Sequence, residues 1–385
     1  MKICSRCIYD ESIPGIVFDD KGVCNYCHQI DQLKEQYQTG KRKGIITFEK
    51  IVKQIKKDGE GKKYDCVVGV SGGTDSSFLL DRAIYYGLRP LAVHYDNTWN
   101  TGIATQNIRK LLEKTNVDLY THVVNNIEMD DIFLSFFKAS VPDLDCSTDI
   151  ALAETLYRAA NKYKVKYILE GHSYLTEGIA PLGYIYMDGK YISSIHSKFG
   201  RLKMDTFPNM TFFSFLKWVA LKRIKKIRPL WYLPYSKEPT REYLKRKYDW
   251  KYYGGHHLEN RITALHNNYY APTKFGIDTR NNSLSAEVRA GQLTREEAIE
   301  IYSKPPEVEK NLLQYFKKRL YLSDEKFNEI MARPKKYFYN YSTYKIRFEK
   351  YRVLFKLLAG SNLVPMSFYL KYCFPFGYNH DNIKT

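Results

Sequence analysis

One segment of the chain has the residue types of a phosphate cradle: Ser71-Gly72-Gly73-Thr74-Asp75-Ser76-Ser77. An apolar run at 64–70, typical of a buried parallel strand, precedes it, and a helical pattern begins at 76. The glycines allow a sharp turn, whose amide groups, together with the serine hydroxyls and the positive end of the helix dipole, attract an anion. The bland alternative is a glycine turn capped by Asp75.

This segment is not a Walker A loop, because that pattern requires lysine directly after its second glycine and Thr74 stands there instead. The pattern S-G-G-x-D-S resembles instead the PP-loop of ATP pyrophosphatases. That resemblance implies that residues 71–77 bind ATP, which is cut between its α and β phosphates so that AMP passes to a carbonyl or amide oxygen.

Four cysteines near the start form a second candidate site. Cys4-x-x-Cys7 and Cys24-x-x-Cys27 are separated by 16 residues, the spacing of a structural zinc ribbon with four thiolate ligands. A disulfide framework is the competing interpretation, and a reducing cytoplasm argues against it. About 40 residues cannot build an adequate core, so Zn²⁺ is expected to supply much of this segment's folding free energy.

Three further cysteines carry no motif. Cys66 lies in the first predicted strand and is interpreted as a small buried residue, while Cys373 has no partner. Cys146 precedes a helical pattern, and a nucleophilic role near a positive helix end is kept as a hypothesis.

The elements that position these residues alternate between strand and helix from about 45 to 172. This predicts an α/β fold with a doubly wound parallel sheet. Ligands of such sheets gather at the carboxyl ends of the strands. We therefore expect the loop 71–77 to share a pocket with residues at the ends of two further strands, namely Asp96, Asn97, Glu170, Gly171 and His172.

Three domains are predicted. Residues 1–40 form the zinc ribbon, 41–205 the PP-loop domain, and 206–385 a basic, aromatic, mainly helical domain. In the last, Thr294 with Glu297 predicts a capping box, and Ser323 a helix start.

The net charge of +18 is concentrated, since residues 206–250 hold 11 Lys or Arg against 3 Asp or Glu. Polyanions such as RNA, an anionic membrane face or a nucleotide-linked substrate are the expected partners. No signal-like start is present, and Lys217 interrupts the longest apolar stretch at 210–221, so a cytoplasmic location is expected.

Taken together, the cysteine ribbon, the loop and the segment 88–100 resemble the N-acetyl sugar amidotransferase family of surface-polysaccharide and nonulosonic acid biosynthesis. The resemblance continues through segments of both later domains: Val141-Pro142-Asp143, Thr148 to Leu152, Tyr253-Gly254-Gly255, Phe275 to Asp278 and Ser285 to Ala298. It therefore covers nearly the whole chain.

The resemblance implies that an acetamido group becomes an acetamidino group at the expense of ATP. The amide oxygen would attack the α-phosphorus, and ammonia would then displace AMP. Asp75 is the expected carboxylate near Mg²⁺. Asp96 and Asn97 are candidates for contacting adenine or ribose, and Glu170 and His172 for orienting the imidate or taking a proton. Any of these side chains can also be a simple strand cap.

A nucleotide-linked N-acetyl sugar is the implied substrate. Candidate residues for it are Asp143, Asp149, His257, Glu259, Arg261 and Arg280, the arginines as partners of a carboxylate or phosphate. Either arginine is equally explained as a solvated or ion-paired side chain.

The ammonia needs a source. Position 2 is Lys2 rather than cysteine, and no cysteine lies in a G-x-C-x-G elbow. A separate glutaminase subunit is therefore expected, with an ammonia-channelling subunit as a further candidate partner.

Two other interpretations stay open. A tRNA thiolase or lysidine synthetase would use the same adenylation, although no second C-x-x-C pair serves sulfur relay and nucleic acid is not the preferred partner. Separately, an apolar helical face of Phe212, Phe215, Leu216 and Val219 beside lysines predicts weak peripheral membrane association. Core packing with a basic rim explains that face nearly as well.

Overall fold

The centre of the protein is a five-stranded, all-parallel sheet. The computed structural model describes residues 2–179, 181, 185–254, 258–361, 363–364 and 366–375. The strands are β1 (Cys66–Gly69), β2 (Pro90–Asp96), β3 (Leu119–Val123), β4 (Tyr167–Leu169) and β5 (Lys225–Ile227), in the order β3-β2-β1-β4-β5.

Helices cover both faces of this sheet. Along β1, Cys66 and Val68 face one apolar core and Val67 the other, as expected for a parallel strand buried on both sides. The covering helices are α2 (Arg42–Asp58), α3 (Thr74–Tyr85), α4 (Gly102–Thr115), α5 (Asn126–Ala139) and α6 (Cys146–Lys162). The predicted doubly wound fold is confirmed.

The strand order reverses at β1, whose neighbours are β2 on one side and β4 on the other. Beyond the carboxyl ends of β1 and β4 the connections diverge to opposite faces of the sheet, which leaves a crevice. The loop 71–77 lies at this reversal.

The N-terminal residues form a cysteine ribbon followed by α1 (Asn25–Tyr37). Two isolated antiparallel bridges, Ile3 with Asp10 and Phe18 with Cys24, shape the ribbon. Its small core consists of the four cysteines with Tyr9 and Ile13.

The remainder is mainly helical. Its α-helices are α7 (Gly189–Phe199), α8 (Phe212–Leu216), α9 (Lys237–Tyr248), α10 (Arg261–Leu265), α11 (Arg280–Arg289), α12 (Arg295–Ser303), α13 (Leu312–Arg319), α14 (Asp324–Ala332), α15 (Lys345–Lys350), α16 (Arg352–Gly360) and α17 (Met366–Tyr372). Lys217–Leu221 and His266–Phe275 are π-helical, and Pro229–Trp231 and Phe338–Asn340 are 3₁₀ turns. The capping box at Thr294 and the cap at Ser323 are present as predicted.

The sheet crosses the predicted boundary at residue 205. Lys225–Ile227 forms β5 and pairs with β4, whereas we expected 206–385 to be a separate, mainly helical domain. A three-residue strand of two lysines and an isoleucine lacks the apolar run that identifies a buried strand, so no sequence pattern predicted it. The division of the chain into 1–40, 41–205 and 206–385 stays a prediction.

None of the helices in the part of the chain that the structure describes has the length and apolarity needed to cross a bilayer.

Candidate active site

The loop between β1 and α3 turns sharply at Gly72. Its φ of +82° is in the left-handed region, and a Cβ at this position would lie 2.3 Å from the carbonyl oxygen of Ala104. The Gly72 carbonyl in turn accepts hydrogen bonds from the Trp250 indole at 3.1 Å and the Asn107 amide at 3.2 Å. Only glycine satisfies both the conformation and the close approach.

The serines hold the loop in shape. Ser76 Oγ donates to the Gly73 carbonyl at 3.3 Å and accepts from the Ser71 amide at 3.2 Å. No side chain caps the start of α3, where Gly73 precedes the first turn. The first amide groups of α3 therefore keep the arrangement of an anion site at a helix N-terminus.

A cavity of about 150 Å³ opens beside the loop. Because pockets for whole drug-sized ligands measure roughly 300–1,000 Å³, this volume suits part of a nucleotide, such as its phosphates. The lining residues come from four separate stretches of the chain, 71–76, 171–177, 237–241 and 253–259: Ser71, Gly73, Thr74, Asp75, Ser76, Gly171, Glu177, Lys237, Arg241, Tyr253 and Glu259.

Two cations of α9 face the cavity, one helical turn apart. Lys237 is only 7 % exposed. The Arg241 guanidinium pairs with Glu238 at 2.8 Å and lies 4.0 Å over the Tyr252 ring, and its buried Nε has no hydrogen-bond partner among the described residues. Neither residue is predictable from the sequence, because nothing in the basic stretch 206–250 distinguishes them from nine other cations.

Two predicted carboxylates do reach the cavity. Asp75 accepts a hydrogen bond from the Tyr235 hydroxyl, whose ring stacks on Phe78 at 5.4 Å. Glu259 Oε1 accepts from Ser71 Oγ at 3.4 Å. Glu177 lines the same cavity and was not predicted. Cations from α9 and carboxylates from three other segments thus surround the start of α3.

The end of β2 braces the wall that carries Glu259. Asn97 is buried, accepts from the Asn260 amide at 2.8 Å and donates to Thr148. Asp96 accepts from the Thr98 amide at 2.7 Å and from Asn100. Neither side chain lines the cavity. Asn97 is an internal structural residue rather than a reader of adenine, and the nucleotide role of Asp96 stays a prediction.

The end of β4 differs from its predicted role. Burial would raise the pKa of Glu170, but Lys226 at 2.5 Å and Arg228 at 3.2 Å outweigh it and lower that pKa to about 2. A carboxylate this acidic is a poor acceptor for a proton from ammonia near neutral pH. Glu170 therefore joins β4 to β5, and of this strand end only Gly171 lines the cavity.

His172 also holds structure in place. The Trp231 indole donates to its Nδ1 at 3.2 Å, and its Nε2 donates to the Gly178 carbonyl at 3.1 Å. This bonding fixes the neutral tautomer. His172 thereby shapes the loop that presents Glu177, and the predicted role in proton transfer lacks a free ring nitrogen.

Of the predicted sugar-binding residues that the structure describes, Glu259 lines the cavity and the others do not. Asp143 is buried and accepts from the Tyr186 amide at 2.7 Å and the Tyr191 hydroxyl at 2.9 Å, and burial raises its pKa to about 7. It is an internal residue, not a sugar ligand. Asp149 is exposed in the first turn of α6.

The two candidate arginines are engaged by the protein. Arg280 pairs with Asp278 at 2.6 Å and donates to the Lys304 carbonyl at 2.7 Å, as the ion-paired alternative expects, and its role toward the sugar stays a prediction. Arg261 lies 4.6 Å over the Tyr315 ring and does not line the cavity. His257 falls outside the described residues.

Burial also removes the hypothesis of a nucleophilic Cys146. The side chain is buried, and burial raises its pKa well above the ordinary value. A reactive thiol needs the opposite shift and access to solvent.

The four ribbon cysteines converge as predicted. All are buried, and their sulfurs lie within 4.8 Å of one another. The distances from Cys4 to Cys27, Cys7 to Cys24 and Cys24 to Cys27 are 3.9, 3.8 and 3.6 Å. Tetrahedral Zn²⁺ with bonds of about 2.3 Å separates its sulfurs by about 3.8 Å. The geometry and the all-sulfur donor set therefore fit zinc.

The ribbon docks on α11 through Arg289. This buried guanidinium donates to Cys27 Sγ at 3.2 Å and to Cys7 Sγ at 3.1 Å, and it lies 4.5 Å over the Tyr9 ring. Thiolate charge is thereby partly balanced by the C-terminal part of the chain.

A chain of hydrogen bonds leads from the ribbon to the cavity. The Tyr9 hydroxyl donates to Asn282 Oδ1 at 2.6 Å, and Asn282 Nδ2 donates to the Glu177 carbonyl at 2.6 Å. Since Glu177 lines the cavity, α11 connects the two candidate sites.

The sheet order and the cradle together define an α/β protein with an anion site at the point where the strand order reverses. Residues 259–356 match the family described as "LPS biosynthesis protein WbpG-like, C-terminal domain". Over that segment, the resemblance to surface-polysaccharide biosynthesis proteins is confirmed.

Three individual proteins are also similar. The "Uncharacterized protein MJ1599" of Methanocaldococcus jannaschii is 27% identical over 171 residues, 44% of this chain, and the match spans 58% of that relative's length. The U34-tRNA thiolase NcsA from Methanococcus maripaludis, solved with its [4Fe-4S] cluster, has 14% identity, a TM-score of 0.33 and coverage of 76% of this chain and 87% of its own. The NMN synthetase from Francisella tularensis has 17% identity and a TM-score of 0.28, with coverage of 60% of this chain and 95% of its own. Likenesses at these TM-scores carry no argument about activity.

Proposed function

We propose that the protein is an ATP-dependent amidotransferase that converts the acetamido group of a nucleotide-linked sugar into an acetamidino group. One observation carries the proposal. The segment matching the surface-polysaccharide family begins at Glu259, and Glu259 lies against Ser71 in the wall of the phosphate cradle. The family segment and the PP-loop therefore contribute to one cavity.

The cradle binds the β and γ phosphates of ATP in this proposal. The amide groups at the start of α3 donate hydrogen bonds to the phosphate oxygens, and Lys237 and Arg241 approach the phosphates from α9. Positioned donors of this kind stabilise charge that develops on a leaving group. The buried Nε of Arg241, without a partner among the described residues, is the donor best explained by a bound anion.

Asp75, Glu177 and Glu259 also line the cavity and supply carboxylate oxygens to it. Hard oxygen donors beside phosphates suit Mg²⁺, which would offset phosphate charge there. Tyr235 orients Asp75 toward the cavity edge.

The reaction has two steps. The acetamido oxygen attacks the α-phosphorus, the bond to the bridging oxygen breaks, and pyrophosphate leaves from the cradle. Ammonia then adds to the imidate carbon, a proton is lost, and AMP departs with the former amide oxygen. Because an amide carbonyl is a poor electrophile, adenylation is the step that makes the exchange feasible.

Ammonia comes from a separate glutaminase subunit in this proposal. Outside the four ribbon cysteines, Cys66, Cys146 and Cys373 are all buried, so no accessible thiol in the described chain serves glutamine hydrolysis or the sulfur relay of a thiolase. With the purified chain, ammonium salts should support turnover and glutamine should not. Equal use of glutamine would contradict the separate subunit.

The central test measures AMP and pyrophosphate release with ATP, ammonium and a panel of diacetamido sugar nucleotides, with total tRNA as a parallel arm. We expect AMP only with a sugar nucleotide, and mass spectrometry should show one oxygen replaced by NH. Asp75→Asn should lower the rate about 100-fold, whereas the exposed Asp205→Asn should leave it unchanged. AMP release that depends on tRNA would instead establish the tRNA-modifying alternative.

A further inference from the structure

A small helical unit at the edge of the protein has its own aromatic core. We call it the aromatic unit: residues 212–219 and 344–375 in their described parts, packed around Phe348 and Phe355. The apolar face predicted for membrane contact is part of that core. The Phe212 ring lies 5.1 Å from that of Phe348, and the Phe215 ring 5.1 Å from that of Phe368. That face is therefore not available to a membrane.

A different apolar face of the aromatic unit points outward. Helix α16 buries Phe355 and Ala359 but exposes Val353 by 74 %, Leu354 by 51 % and Leu357 by 68 %. These three residues follow the i, i+1, i+4 spacing of one helix side. An apolar side of a helix is normally covered, so this exposed side is fitted for an apolar partner.

The surroundings of this face are strongly cationic. Residues 344–361 contain five Lys or Arg and a single acidic residue, Glu349, which pairs with Lys345 at 3.3 Å. Lys350 and Lys356 are exposed beside the apolar side chains. The partner of this surface must accordingly offer negative charge around an apolar interior.

We propose that the outer face of α16 docks on an anionic lipid membrane, with Val353, Leu354 and Leu357 inserted among the acyl chains. Amphipathic helices lie in the membrane interface in this manner, and cations beside the inserted face contact lipid phosphates. A second copy of the chain would bring the same positive surface against itself and be repelled. Nucleic acid offers phosphates but no apolar layer for three aliphatic side chains.

This inference does not depend on the catalytic proposal. It places the aromatic unit on the inner surface of a membrane without any spanning helix, and it moves the membrane contact from the 212–219 face to α16.

Vesicle sedimentation tests it with the full chain. The wild type should bind vesicles of phosphatidylcholine with phosphatidylglycerol at low salt, and should not bind pure phosphatidylcholine. The triple variant V353S/L354S/L357S should bind about tenfold less. K350E/K356E should also bind less and lose most of the salt dependence.

A matched control replaces three exposed aliphatic residues elsewhere, L119S/V123S/I127S, and should bind as the wild type does. Thermal melting and AMP release check that each variant is folded. The proposal is overturned by equal binding of the α16 triple variant and wild type, by equal binding to both vesicle types, or by loss of binding in the control. Light scattering that shows a dimer abolished by the α16 triple variant would likewise overturn it in favour of a second copy.

Discussion

The cysteine ribbon and the phosphate cavity are built in opposite ways. All four ribbon ligands lie between Cys4 and Cys27, whereas the cavity draws its lining from residues as distant as Ser71 and Glu259. The ribbon takes supporting contacts, but no cysteine ligand, from far along the chain: Arg289 donates to the thiols of Cys7 and Cys27, and Arg295 to the carbonyls of Cys4 and Cys7. A site with local ligands needs little of the fold to assemble, while the cavity needs the sheet, α9 and the segment around residue 259 to be in place together.

This difference predicts how each region fails. Loss of one ribbon ligand should unfold a local unit, whereas loss of one cavity residue should weaken binding without unfolding anything. Four substitutions, ordered by expected effect, test where that contrast holds and where the two regions depend on each other.

The largest effect is expected for Cys7→Ser. Structural zinc contributes roughly 10–16 kcal/mol of binding free energy to small ribbons, and Arg289 would lose a thiolate partner in a buried position. Metal analysis should show loss of zinc, and hydrogen exchange should rise across residues 2–37. His28→Ala is the control, since His28 is exposed and pairs with Asp19 at the surface. If Cys7→Ser retained zinc and showed the hydrogen exchange of the wild type, Cys7 would not be needed for zinc binding or for the stability of the ribbon.

Next comes Lys237→Ala. A charged hydrogen bond to phosphate contributes about 1.5–3 kcal/mol, so ATP binding measured by calorimetry should weaken by roughly 10–100-fold while the melting temperature changes little. Lys245→Ala, exposed on the same helix, should bind ATP normally. Equal losses in both variants would show that general charge, rather than placement in the cavity, governs the affinity.

A smaller effect is expected for Asn282→Ala, which cuts the bonds between Tyr9 and the Glu177 carbonyl. Losing about 1 kcal/mol of hydrogen bonding should raise exchange in residues 172–179 and lower turnover several-fold. Ser283→Ala on the same helix is the control. If exchange near Glu177 stays unchanged, the ribbon and the cavity are energetically independent.

The smallest effect on activity is expected for Asp143→Asn, because Asp143 lies inside the protein. Burial raises its folded pKa from 3.8 to about 7, so the wild type loses stability as pH rises through that window, by up to about 1.4 kcal/mol per pH unit. Asparagine does not ionise. The variant should therefore gain stability relative to wild type between pH 4 and 7 in urea unfolding, and keep the gain above pH 7. A large loss of turnover at unchanged stability would restore Asp143 to the substrate site.

The sequence predicted what contiguous residues determine. The ribbon, the cradle and the parallel α/β alternation follow from spacing and periodicity within short segments, and the structure has all three. The convergence of the loop with Gly171 also follows, because carboxyl ends of parallel strands meet at one edge of a sheet.

Long-range placement was not predictable in the same way. Glu170 and Asn97 stand at strand ends, as catalytic residues do, but their partners Lys226 and Asn260 are 56 and 163 residues away. Lys237 and Arg241 look like any surface cations until α9 is set against the cradle. Residue type and local sequence pattern identify a candidate catalytic residue, whereas its partners in the folded protein decide whether it is free to react.

The strand β5 determines where the chain could be divided without exposing the sheet. Since this strand comes from beyond residue 205 and seals the edge of β4, a chain ending at that point would leave an unpaired strand edge open to aggregation. It would also lack Lys237, Arg241 and Glu259. The sheet and the loop 71–77 are thus not a portable module, because both are completed by residues that follow position 205.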